Sequence, residues 1–556
     1  MHSNDQLTRR KWLRTSAMTA GAVGMFSAQR SAGAGQGMDE TDPGIFNITA
    51  FGARGDGIAD DSDAIQKAID AAGNFSRGHA SKGGIVYLPA GAYVVSKTLL
   101  VTQAVKIFGH GQATIDGATH LLPASLGFDV FKIIGVNWGV VLEGFHIKAY
   151  NFTGTGGHFL RIQGCQRVCV RDVHLINCWN GALVDSSGDV NFYDLNISGA
   201  DVPGEGRFGL KCTAASQGNP NSTNAFNCSV SQWGKNTRTM DGFVLANGYN
   251  SLGTVNCGAL NCKRAFWSTK DGGTAPNFLI ISGIGTSDHC NQGIVLEEGG
   301  FTQVSGFLIT SSNQDNITVG ENITGPVAFF NCIIGTSGGA GYQIKSTQTP
   351  NVSITGGSVR DTSGNAIEIS GNASVLVTGV GIADIQSGQS ADGLRLSGSG
   401  EITLTGLSIT KVRQTAIRVA PAFTGILSFS GLTQNNADRG LLDEGSTGII
   451  VGNGIFHANS TMGVDVSRNK SPETCIQSHG TIPFPFDPTP ALPTSGVPVP
   501  NHTGTNCMVY LAGKNIREVV VAGTHLPTQG IVYLPVNHSI SINYSGELTW
   551  IWQRVV

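Results

Sequence analysis

The sequence predicts an all-β fold, a right-handed parallel β-helix, and three observations carry that reading. A short unit of alternating apolar and polar residues recurs through the middle of the chain. Helical apolar spacing is almost absent there. Gly occurs 77 times and only 13% of the 556 residues are charged, which suits many short strands joined by tight turns.

The recurring unit reads Phe159-Leu160-Arg161-Ile162, then Phe208-Gly209-Leu210-Lys211, Ile294-Val295-Leu296-Glu297, Tyr342-Gln343-Ile344-Lys345 and Ile417-Arg418-Val419. Copies fall roughly 22 to 34 residues apart, a solenoid spacing, whereas propeller blades usually need ~40 or more. Second strands of the same kind lie between them, such as Val168-Cys169-Val170 and Val352-Ser353-Ile354. Alternation of period two means one face buried and one wet. A single coil cannot bury its own apolar face, so the coils must stack, two or three short strands to each.

A stack needs a cap. Phe46 to Ala53 reads as a strand running into the turn Gly55-Asp56-Gly57. Asp60-Asp61-Ser62 offers helix N-caps, and a helix from about Asp63 to Ala72 would carry Ala64, Ile65, Ala68 and Ile69 as its apolar stripe. The β-helix with its cap is assigned to residues 41–470. Eight of the 19 Pro residues fall between Ser471 and Pro500, so 471–500 reads as a stiff linker. Residues 501–556 hold short alternating strands, including Met508–Leu511 and Leu548–Trp552, and form a small C-terminal β-module. A packed core, a sugar-binding surface and a trimerisation plug are its three readings, so a homotrimer is among the expected assemblies.

Residues 1–40 read as an address. Thr8-Arg9-Arg10-Lys11-Trp12-Leu13-Arg14 resembles a twin-arginine export motif, an apolar stretch follows from Ala17 to Ala28, and Ala32-Gly33-Ala34 offers a cleavage site. A bacterial periplasmic or secreted location is expected. No later run is long and apolar enough to span a bilayer. The net charge of −3 gives no electrostatic footprint for nucleic acid. Of the eleven Cys, several sit at apolar strand positions, where Cys behaves as a small hydrophobe. Cys257 and Cys262 lack a second pair at zinc-ligand spacing, so no metal site is assigned.

The run Phe51-Gly52-Ala53-Arg54-Gly55-Asp56-Gly57, with Asp60-Asp61 and Ala64-Ile65-Gln66-Lys67-Ala68-Ile69, resembles the cap motif of the pectate-lyase-like β-helix superfamily. Val86-Tyr87-Leu88-Pro89-Ala90-Gly91 and Ile107-Phe108-Gly109-His110-Gly111 resemble its first coils. The resemblance implies a protein related to polygalacturonases and rhamnogalacturonases that holds a polysaccharide along its coils. The polygalacturonase series of Asn-Thr-Asp, Asp-Asp, Gly-His-Gly and Arg-Ile-Lys does not appear in order. Gln343-Ile344-Lys345 is the nearest echo of its last element, and His110 reads as structural. An Asp-rich calcium cluster is also missing, so calcium would enter only with lyase chemistry and no cofactor is otherwise required.

Alternation then names the outward side chains. If Val184, Leu210, Leu296, Ile344 and Ile369 point in, Asp185, Lys211, Glu297, Lys345 and Glu368 point out. Near the middle lie Arg264, Trp267, Lys270 and Asp271, with Glu297 and Glu298 one coil on. Trp267 offers a flat face for a sugar ring, and Arg264, Lys270, Lys211 and Lys345 offer cations for uronate carboxylates. Glu297, Glu298, Asp271 and Asp185 are the candidate acids and bases. The expected function is degradation of an acidic polysaccharide by a hydrolase or lyase. A non-catalytic tailspike-like carbohydrate binder and a polymer-level uronate epimerase are the alternatives.

Overall fold

In the computed structural model, residues 44–554 are described apart from 79–82, 112–116, 217–219, 349, 386–390, 466–474, 480–488, 502–505, 514 and 529. The proposed export segment, residues 1–40, lies outside the described residues.

Alternating strands pair in parallel with the same strand of the coil before and the coil after. Forty-two strands join this way, and at three per coil they make about fourteen coils. One central coil runs through Ser251–Val255, Gly258–Leu260 and Arg264–Thr269. The stacks built on these three strands are here called sheets I, II and III. Each coil rises ~4.8 Å on its neighbour.

Local chemistry sets the corners. Between sheets I and II the chain turns on a left-handed residue: Asn227, Asn256 and Asn331 have φ of 52°, 53° and 50°, and Gly306 and Gly356 take the same place at 68° and 65°. Asn and Gly are the residues that adopt this conformation at low cost. At this corner Asn256 donates to Asn227 at 3.3 Å from coil to coil, and just before sheet I Asn277 donates to Asn250 at 3.2 Å and Asn250 to Asn221 at 3.4 Å.

Inward residues stack in register. Phe243 pairs with Phe266, then Ile294, Ile317, Tyr342 and Ile367. All six are buried, and the rings of Phe243 and Phe266 lie 4.8 Å apart at 10°. Removing one such side chain to Ala costs ~2–5 kcal/mol, because rigid neighbouring coils leave a cavity. Val184, Leu210, Leu296, Ile344 and Ile369 all point in, as alternation requires. The nine Cys from Cys165 to Cys332 carry free thiols, eight of them buried. Burial pushes the Cys178 and Cys212 thiols up to about 12, so they stay protonated and act as core.

The cap helix, α1 (Ser62–Gly78), runs more than a turn beyond the expected Ala72. Ala64, Ile65, Ala68, Ile69 and Ala72 form its buried stripe. The Asp61 carboxylate accepts from the backbone N–H of Arg54 at 2.7 Å and of Gly55 at 3.2 Å, and Asp56 and Asp60 make similar turn bonds. Gly84 must be Gly, since a Cβ there would stand 2.2 Å from the carbonyl oxygen of Ala72.

Stacking continues past residue 470: Cys475–His479 pairs in parallel with the preceding coil, inside the stretch expected to be linker. The C-terminal module has one four-stranded and one three-stranded antiparallel sheet. Cys507, Val509, Val519, Ile540 and Trp552 lie in its own core. Pro490 and Pro493 accept hydrogen bonds from Trp550 and Tyr544, so the end of the Pro-rich stretch lines this module.

Candidate active site

The outward face of sheet III collects most of the expected residues. Its register runs Arg161, Leu183, Lys211, Val244, Trp267, Val295, Thr318, Gln343, Glu368, Arg395, Arg418. In the middle coils this column is apolar, with Leu183, Phe208, Val244, Ala246 and Trp267 in one cluster. Charged side chains border it.

Three ion-paired groups make up that border. Arg264 takes a bidentate grip from Asp241, Nε to Oδ1 at 2.7 Å and Nη2 to Oδ2 at 2.8 Å. Its third nitrogen, Nη1, lies 3.6 Å from Oε1 of Glu297. Lys270 lies 3.1 Å from Glu298, which also accepts from Asn322 at 3.1 Å. Lys211 reaches Asp271 at 2.5 Å. The register shifts between Leu296 and Glu298. Such a bulge re-aims side chains, and it lets two consecutive glutamates serve different cations.

Exposure separates the carboxylates. Glu297 keeps 46% of its side-chain surface and Asp241 only 6%. Glu297 is therefore an accessible acid loosely tied to a cation, and Asp241 is that cation's buried anchor. One guanidinium thus bridges the two carboxylates, Asp241 at 2.7 Å and Glu297 at 3.6 Å.

Two expected residues sit elsewhere. Asp185 points outward but is buried at 3% exposure, covered by a loop whose Ser216 donates to it through N–H at 3.0 Å and through Oγ at 2.5 Å. Lys345 follows the strand Tyr342–Ile344, three coils beyond Trp267, and makes no ion pair among the described residues. The cluster comprises Arg264, Trp267, Lys270, Asp271, Lys211, Glu297 and Glu298. Of the described residues, none form a group of three or more His, Cys, Asp or Glu suited to a metal ion.

Sequence reasoning missed Asp241. Its signal is positional: Asp241-Gly242 opens a repeat copy, as Asn180-Gly181 and Asp392-Gly393 do. At this corner Asx side chains tie coil to coil. Asn180 accepts from the Phe208 N–H at 3.1 Å, Asn365 from Asp392 at 2.8 Å, and Asp392 from Thr415 at 3.1 Å. Asp241 turns its carboxylate to Arg264 instead. Farther along, Arg418 is likewise clasped between buried Asp392 at 2.6 Å and Glu444 at 2.5 Å. Burial pushes the Asp392 carboxyl up, against the pull of Arg418.

Stacked sheets in register under a helical cap define a parallel β-helix protein, and its first coils are similar to a pectate-lyase-like family. Residues 45–132 match the family model described as rhamnogalacturonase A/epimerase, pectate lyase-like. The chain is 40% identical over 105 residues to mannuronan C5-epimerase AlgE1 of Azotobacter vinelandii, covering 19% of this chain and 6% of that protein. It is 38% identical over 99 residues to alginate lyase 7 of the same organism, covering 18% of this chain and 10% of that one. The matched stretches thus span a tenth or less of these two relatives. Among solved structures, the N-terminal fragment of bacteriophage Phi29 gene product 12 aligns with a TM-score of 0.52 at 14% identity, over 81% of this chain and 97% of that one. That likeness concerns the fold alone.

Proposed function

We propose that this protein is an exported enzyme that degrades a uronate-containing polysaccharide, held along the outward face of sheet III. The observation that carries the reading is the Asp241–Arg264–Glu297 group. The Arg264–Glu297 contact is long, at 3.6 Å, and Glu297 is half exposed. A substrate carboxylate would displace Glu297 from Arg264, gaining the cation and releasing the base in one step. Arg264 then stabilises charge on the uronate carboxyl while Glu297 removes the proton beside it. Expulsion of the 4-linked sugar from that anion, with the proton taken by Glu297 passing to the departing oxygen, is lyase cleavage; delivery of a proton from water on the opposite face, while Glu297 keeps the one it took, is epimerisation. The relatives named as an alginate lyase and a mannuronan epimerase support this pairing of outcomes. Hydrolysis by the Asp241 and Glu297 pair is less favoured, because Asp241 is fully engaged by Arg264.

A second reading, carbohydrate binding without chemistry, is favoured by one observation: Glu297, Glu298, Asp271 and Asp241 are all ion-paired. Incubation of the purified protein with alginate, polygalacturonate and neutral glucans separates the readings. Ultraviolet absorbance from an unsaturated uronate supports the lyase, new reducing ends without it support a hydrolase, and altered C5 stereochemistry at constant chain length supports an epimerase. Binding with none of these supports the second reading. Loss of the signal in Glu297→Gln is expected, and full activity in that variant rejects the assignment. The export proposal rests on the Arg9-Arg10 motif, and Arg9→Lys with Arg10→Lys should leave the protein in the cytoplasm of the producing cell.

A further inference from the structure

The C-terminal module carries a depression on the outer face of its four-stranded sheet, with a volume of about 620 Å³. Val519, Val521, Ile540 and Ile542 turn into the module core, so alternation turns Glu518 and Asn543 outward, where they face each other across paired strands. The register shifts between Ile516 and Glu518, which places Arg517 in a bulge. Bulges re-aim side chains, and here the consecutive residues Arg517 and Glu518 both line the depression.

Its polar groups are held in place. His525 Nδ1 lies 2.7 Å from one Glu518 oxygen, and Asn543 Nδ2 donates to the other at 2.6 Å. Arg517 forms no hydrogen bond or ion pair among the described residues, so its donors face the opening unused. Tyr544 and Leu526, partly buried against the module core, expose their remaining apolar surface at the edge of the depression. The Tyr544 hydroxyl donates to the Pro493 carbonyl at 2.7 Å, and the Tyr544 backbone N–H donates to Ser495 Oγ at 2.8 Å, so both ends of the residue are fixed.

We propose that this depression is a saccharide-binding site, separate from the face of sheet III. An immobilised carboxylate beside an unpaired guanidinium matches a vicinal diol, one hydroxyl donating to Glu518 and its neighbour accepting from Arg517. The apolar face of the same sugar ring rests on Tyr544 and Leu526. The volume falls within the ~300–1,000 Å³ usual for small-ligand sites. Among the described residues lining the depression Glu518 is the one carboxylate, which suits recognition of a sugar hydroxyl. The site would hold a chain end while the polymer lies elsewhere, and it does not depend on the catalytic reading.

Calorimetric titration of the full-length protein with trimannuronate, trigalacturonate and maltotriose tests the proposal. At least one should bind, with affinity reduced about ten-fold or more in Glu518→Ala and in Arg517→Ala, since each removes a charge-assisted hydrogen bond. Trp138→Ala, at an exposed residue of the first coils that belongs to neither site, should leave that binding unchanged. Arg517 is exposed, so its variant keeps the fold. Binding of none of the three, or parental affinity in both module variants, overturns the proposal. Intact module binding in a protein inert on every polymer would reject the catalytic reading and leave this one standing.

Discussion

The guanidinium carbon of Arg264 stands 3.2 Å from the centre of the Trp267 ring. The indole therefore presents one face to a cation of its own chain and only the remainder to a sugar. A cation–π contact of this kind contributes ~0.5–2 kcal/mol. Its larger effect is to confine Arg264, which Asp241 grips from the preceding coil. The Trp267 indole nitrogen is buried with no hydrogen-bond acceptor among the described residues. Trp267→Phe keeps the face and deletes that orphaned donor, so its thermal midpoint should equal or exceed the parent's, with polyuronate binding retained. Trp267→Ala should weaken polyuronate binding several-fold. Equal losses in the two variants would show that the ring face is not what matters.

Asp241 and Glu297 share one guanidinium and should respond differently to substitution. Asp241→Ala leaves a largely buried cation without its anchor and should cost ~3–5 kcal/mol of stability. Glu297 is half exposed and 3.6 Å from Arg264, so Glu297→Gln should change stability by less than ~1 kcal/mol. Its effect belongs in activity. Chemical denaturation alongside the polymer assays separates anchor from working group, and a large stability loss in Glu297→Gln would merge the two roles.

The coil stack was legible because its cause is local. Alternation puts Ile344 and Ile369 inside, and Gly or Asn at the corners supplies the left-handed turns. The cap was legible from Asp61 and the stripe through Ile65 and Ile69, although the helix end at Gly78 was not, since propensity does not mark where packing stops. Of the candidate site, alternation gave the side of the sheet but not the cover. Asp185 points outward and still lies buried, because the loop carrying Ser216 folds over it. Asp241 was invisible for the complementary reason. It occupies a position that usually ties coils together, and only the approach of Arg264 changes its role. Lys345 shares the face with the cluster, but register sets it three coils from Trp267.

Asp129 should make part of the stability pH-dependent. Burial raises its carboxyl, but the side-chain bond from His158, the charge of that ring and the His158 N–H outweigh burial and leave it below the usual range. The contacts are 2.7 Å to the ring and 3.1 Å to the backbone nitrogen. A carboxyl held below its unfolded value of ~3.9 stabilises the fold above that pH, and the contribution disappears as pH falls through the lower folded value. Asp129→Asn should therefore melt earlier than the parent at pH 7, and the gap should close below about pH 4. A constant gap from pH 7 to pH 3 would mean that packing, not charge, is what Asp129 supplies.

Among the described residues Arg207 is the cation most completely removed from water, fully buried and stacked 5.1 Å from the Trp179 ring. Burial lowers its affinity for the proton, yet no carboxylate contacts it among the described residues. Four backbone carbonyls do: Trp179 at 3.2 Å, Val202 at 2.6 Å, Cys178 at 3.1 Å and Ala200 at 2.9 Å. These lie on the connections that leave sheet II in two successive coils, so one side chain closes both onto sheet III. The planar fork of Arg can address carbonyls on several sides, and the point charge of Lys cannot. Arg207→Lys should cost ~2–3 kcal/mol by leaving buried carbonyls unsatisfied. Arg207→Met should cost at least as much, although it removes the buried charge. Faster amide exchange at 178–204 in both variants would locate the loss at the clamp. Unchanged exchange there would show that the carbonyls find other donors and that Arg207 is dispensable.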